Sequence, residues 1–160
     1  MTSNYKRTAN WLAACGKRPG LDSKGVADLS TQLGCHLEEV VELLQTIRTD
    51  KEGYAKLLAR CIDDLNWFAS KLKRGESVAY IPAHLRVDAL DALCDCEVTG
   101  NAVAFLASFD KEAADQAVLA SNDAKLVDGK PVILEGGKIG KPTGWQAPDL
   151  REFADVRRLA

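Results

Sequence analysis

Apolar positions step by three and four along most of this chain, the spacing of amphipathic helices. Between 24 and 49 the series is Val26, Leu29, Leu33, Leu37, Val40, Val41, Leu44 and Ile47. It predicts one long helix, which Asp22 or Ser23 can cap. A second helix is expected over 52–73, with Leu57, Leu58, Cys61, Ile62, Leu65 and Phe68 inward and Gly75 ending it. A short helix over 5–15 precedes these, and GKRPGLDS breaks the chain between them. ESVAYIPAH is a linker with Pro82 as breaker. A third long helix is expected from about 83 to 107 and a short Ala-rich one over 110–121.

After Lys125 the pattern changes. VDGKPVILEGGKIGKPTGWQAPDL is rich in Gly and Pro. The Asp128-Gly129 and Gly136-Gly137 pairs are turn signals around the β-prone run VIL, so a small hairpin is expected. A last turn of helix is expected over 149–157. The prediction is an all-α helical bundle in one domain, 1–160, with its core over 24–125 and a structured tail over 126–160.

Composition narrows what such a bundle can do. The 160 residues are 46% apolar but only 6% aromatic, and the apolar mass is Leu, Ala and Val, which favours helix over sheet. The formal net charge is −2 and no basic stripe or Arg-rich arm is present, which disfavours a nucleic-acid partner. No apolar run approaches the roughly 20 residues that span a membrane, and the N-terminus is too polar for a signal peptide. The five cysteines are odd in number and sit in helical patterns, as free thiols of a cytoplasmic protein do. Cys94 and Cys96 form C-x-C without a second pair, and two histidines complete no usual zinc spacing.

Two acidic stripes are the candidate chemistry. In CHLEEVVELL, Glu38, Glu39 and Glu42 fall on one side of their helix, nearly opposite the centre of the leucine and valine stripe. Alone, that is the wet face of a surface helix. In HLRVDALDALCDCEVTGNAVAFL, Asp88, Asp91 and Asp95 recur at three and four with Ala89 and Ala92 beside them. Like charges at that spacing repel, and aspartate is a poor interior helix former. A hard divalent cation shared with the glutamates compensates both, since Mg²⁺ takes oxygen ligands.

These segments resemble a known family. EEVVE at 38–42 matches the E-E-x-x-E pattern of the MazG-like all-α nucleoside triphosphate pyrophosphohydrolases. DALCDCEVTGNAVAFLASFD resembles the second metal helix of that family's phage-type, phosphoribosyl-ATP-pyrophosphohydrolase-like branch. ASNDAKLVDGKPVILEGGKIGKPTGWQAPDL is similar to that branch's tail, S-N-x-x-K followed by G-K-P and G-K-x-x-K. The resemblance covers roughly 24–150.

The resemblance implies hydrolysis of a (deoxy)nucleoside triphosphate to the monophosphate and pyrophosphate, with Mg²⁺, or Mn²⁺ in its place. Glu39 and Glu42 become the first metal pair, with Glu38 beside them as ligand, and Glu38 or Glu39 as base. The family's second pair is E-x-x-D; here Asp95 fits the last position, Ala92 stands where the glutamate belongs, and Asp91 is the substitute, with Asp88 behind it. Lys125 is implied in phosphate binding and Asn122 in contacts to phosphate, sugar or base, although Asn122 also reads as a helix C-cap. Lys138 and Lys141 are candidates for the same phosphates. Trp145 either packs the tail or stacks a base, and Asn101 is a candidate nucleotide contact. The branch suggests a phage or bacterial enzyme of the nucleotide pool, in the host cytoplasm if viral, with a purine such as dATP or dGTP as candidate substrate. It also implies a homodimer or a dimer of dimers. Two other readings stand beside it: a related enzyme on phosphoribosyl-ATP or dUTP, and a non-catalytic helical adaptor with an acidic face.

Overall fold

The computed structural model describes residues 3–134 and 139–154. The protein is all-α apart from one very small hairpin. The helices are α1 (Asn4–Ala14), α2 (Ser23–Thr46), α3 (Glu52–Lys73), α4 (Arg86–Leu106) and α5 (Lys111–Asp123). The strands are β1 (Leu126–Val127) and β2 (Lys130–Pro131). The chain divides into two compact units: Arg18–Pro82, and Met1–Lys17 with Ala83–Ala160.

The first unit is the α2–α3 hairpin. Asp22 caps α2, its carboxylate accepting from the Gly25 N–H at 2.8 Å. Val41, Gly34 and Ser30 of α2 are buried, as are Ala69 and Leu72 of α3. Gly34 lets the helices close: a Cβ there would lie 2.8 Å from the Ala69 carbonyl oxygen and 3.0 Å from Leu72 Cβ. Gly75, at φ +68°, ends α3. Its N–H donates to the Leu72 carbonyl and the Glu76 N–H to that of Lys71, the paired bonds of a left-handed helix stop. The chain after α3 returns to α2, where the Ala79 N–H donates to buried Ser30 Oγ at 2.9 Å.

The second unit holds α1, α4, α5 and the tail. A 3-10 turn, Ala83–Leu85, leads into α4, so the helix expected from about 83 takes its α form at Arg86. Arg7 of α1 reaches α5, donating to Asp123 at 2.7 Å and to Gln116 at 3.1 Å. In the tail, Asp128 and Gly129 both take positive φ, 51° and 72°, and form the two-residue turn of β1–β2. The paired strand is therefore Lys130–Pro131, just before the VIL run expected to pair. Of that run only Ile133 bridges, to Ile139. The Gly136-Gly137 turn lies outside the described residues. The last helical turn, expected over 149–157, is a 3-10 turn at Arg151–Phe153, and the residues from 155 onward lie outside the described residues. No described helix is long and apolar enough to cross a membrane.

Candidate functional site

Packing of α2 on α3 sets the direction of its glutamates. With Val41 and Gly34 turned into the hairpin, Glu38 falls at its edge and Glu39 and Glu42 fall on the exposed side. Glu38 Oε2 accepts from Lys73 Nζ at 2.5 Å, which ties the end of α3 to the middle of α2. Among the described residues no ion pair to Glu39 appears. Partial burial pushes its carboxyl above the usual range, and the charges of Glu42 and Glu38 push it further. Lys73 and His36 pull the other way and do not cancel the rise. One face of one helix thus carries three carboxylates, one neutralised by a lysine and one holding its proton more tightly than normal.

The aspartates belong to the other unit. Asp88, Asp91 and Asp95 are all exposed on α4. Their spacing puts them on one side of the helix. Asn101 is exposed two turns further along α4. Among the described residues, no three His, Cys, Asp or Glu side chains are gathered as a metal ion would need.

The C-terminal end of α5 carries the basic cluster. Asn122 lies inside α5, and the C-cap is Ala124, so the C-cap reading of Asn122 is corrected. The Asn122 side-chain oxygen accepts from Lys125 Nζ at 2.9 Å, and its backbone carbonyl accepts from Trp11 Nε1 at 2.8 Å. Trp145 Nε1 donates to the Ser121 carbonyl at 2.9 Å. Two indoles therefore donate to carbonyls at the end of the helix, the Asn122 carbonyl also accepting from the Lys125 N–H at 3.0 Å. The Trp145 ring also carries two ammonium groups, Lys125 Nζ at 5.3 Å and Lys141 Nζ at 4.4 Å from its centroid. Lys17 and Lys125 both act on the nearby Cys15 thiol, whose pKa burial nonetheless raises. Lys138 lies outside the described residues.

The structure therefore brings Lys125, Asn122, Trp145 and Lys141 together, and adds Trp11 and Lys17. Trp11 carried no sequence signal for this role: it lies 111 residues from Asn122. Lys73, the partner of Glu38, was equally invisible at a separation of 35. Chemically, the α2 face offers hard oxygen donors of the type a divalent cation takes, but among the described residues they are not gathered into a site. The cluster at the end of α5 is a set of donors suited to an anion such as phosphate. Comparison with protein-family models, with curated proteins and with solved structures gives no match.

Proposed function

We propose that the chain is a Mg²⁺-dependent nucleoside triphosphate pyrophosphohydrolase of the MazG-like kind, cleaving a (d)NTP to the monophosphate and pyrophosphate. The observation that carries this reading is the crowded carboxylate face of α2, where Glu39 holds its proton above the usual carboxylate range. Oxygen donors with surplus negative charge suit a hard divalent cation.

Glu39 and Glu42 would hold Mg²⁺, and the resemblance assigns Asp91 and Asp95, then Asp88, to the same task. When bound, the ion neutralises phosphate charge and lowers the pKa of a water beside the α-phosphorus. Glu38 or Glu39 would accept that water's proton. Glu38 Oε2 is already held by Lys73. Lys125 and Lys141 supply positive charge to the phosphates, and Asn122 fixes Lys125 through its amide oxygen. Trp145 works as the platform for both lysines, with its N–H already given to the Ser121 carbonyl. A purine dNTP such as dATP or dGTP is the substrate to try first, and the working form is a homodimer or a dimer of dimers.

The test is pyrophosphate release from the common NTPs and dNTPs, with phosphoribosyl-ATP included, in Mg²⁺. The expected result is Mg²⁺-dependent release with the monophosphate as co-product. Glu42→Gln should lower the rate by at least on the order of 100-fold, since losing a ligand costs more than losing its supporting hydrogen bonds, with the circular dichroism unchanged. No release from any nucleotide, or full activity in Glu42→Gln, refutes the reading.

A further inference from the structure

The end of α5 is a poor place for an anion unless something corrects it. The carbonyls of a helix's last turn carry about half a negative charge between them. Helices commonly offset this with a Lys or Arg of their own. The last turn of α5 has no basic residue, and the helix ends on Asp123, a full negative charge. Lys125 follows two residues later. Left to these neighbours, it would pair with the carboxylate and the carbonyls rather than with a phosphate.

The correction comes from α1. Arg7 Nε donates to Asp123 Oδ2 at 2.7 Å. The Gln116 side chain accepts from Arg7 at 3.1 Å and donates to Asn4 at 3.0 Å, which fixes the guanidinium in place. One turn further along α1, Trp11 Nε1 donates to the Asn122 carbonyl at 2.8 Å. With Asp123 engaged, Lys125 Nζ turns to the Asn122 side-chain oxygen at 2.9 Å and to the Trp145 ring, which Lys141 also faces. Both ammonium groups thus rest on neutral groups and keep their charge for a ligand. All of these residues belong to one compact unit. The Arg7 and Asp123 side chains are 28% and 45% exposed, so as a prop for the fold the pair contributes little. Its larger effect is on the charge that a ligand meets.

We propose that Arg7 and Trp11 are positioning residues for anion binding at the end of α5. Arg7 neutralises Asp123 and Trp11 donates to the Asn122 carbonyl, which leaves Lys125 and Lys141 open to phosphate. The inference rests on the proposed function for the role of those two lysines, and adds the helix that keeps them open. The family resemblance covers roughly 24–150 and so implies nothing for α1.

The test is calorimetric titration of the full chain with inorganic pyrophosphate, with divalent metal chelated so that the acidic faces take no part. The parent is expected to bind. Arg7→Met should bind on the order of tenfold more weakly at low salt, and the difference should narrow at high salt, as charge effects do. Arg7→Met with Asp123→Asn should recover the parent's affinity, because the competing carboxylate is gone. A merely structural pair shows no such recovery, since the double variant lacks the same bond. Trp11→Phe, which keeps a ring but loses the N–H, should weaken binding about fivefold. In a Lys125→Met background it should cost nothing further, because it acts through that lysine. If Arg7→Met loses helicity, Asp123→Asn alone decides: it should bind pyrophosphate at least as tightly as the parent. A parent that binds none, folded single variants with the parent's affinity, a folded double variant that does not recover, or weaker binding by Asp123→Asn each overturns the proposal. Nucleotide hydrolysis by the same proteins keeps the two readings apart. A parent that shows this binding pattern but releases pyrophosphate from no nucleotide refutes the enzyme and leaves the positioning role standing. A parent that hydrolyses a (d)NTP while Arg7→Met and Trp11→Phe bind as it does refutes the positioning role alone.

Discussion

Asp22 shows how much one side chain can decide. It lies outside the helix it starts, with extended backbone, and its carboxylate receives the Gly25 N–H. That bond first, and Arg18 beside it, hold the Asp22 carboxyl below its ordinary 3.8. A carboxyl whose pKa is lower folded than unfolded contributes stability above the unfolded value and loses it as pH falls through the folded one. Asp22→Ala should therefore melt a few degrees below the parent at neutral pH, and the difference should close as the pH drops below 3.8. Asp22→Asn, which caps without a charge, should keep most of its advantage over Asp22→Ala at low pH. Thermal melts of the three proteins across pH check both. The cap was legible because its chemistry is local: an Asp or Ser before a periodic run has few other uses. The Glu38–Lys73 pair was not legible, because it depends on which residues the hairpin brings face to face. The same holds for Glu39, whose raised pKa comes from burial as well as from its two neighbours. Charge crowding can be counted on a helical wheel, but desolvation cannot.

At the scale of elements, periodicity did most of the work and small residues did the rest. The helix expected from about 52 to 73 is α3, and that from about 24 to 49 is α2, which stops at Thr46. The difference is a loss of periodicity: after Ile47 come Arg48, Thr49 and Asp50, with nothing apolar to bury. The tail was harder. A two-residue turn fixes strand register more firmly than side-chain preference does, so Asp128-Gly129 pairs Lys130–Pro131 and leaves most of VIL outside the ladder. Gly34 is the position where an element-scale prediction is sharpest. A Cβ there meets backbone at Ala69 and side chains at Leu72 and Lys73, all within 3.0 Å. The backbone contact cannot be relieved by a rotamer change, so Gly34→Ala must push the helices apart. The expected cost is about 1–3 kcal/mol, the usual range for overpacking, even though Ala is the better helix former. Urea unfolding of Gly34→Ala against Gly53→Ala reads it, because the Gly53 Cβ meets nothing within 4 Å.

For the whole molecule the question is cover rather than helix content. Periodicity identifies α4 as a helix but gives it no inward direction, because its apolar residues occupy every side. That is why the candidate site was only half legible: the acidic stripes can be read from spacing, while what α4 packs against cannot.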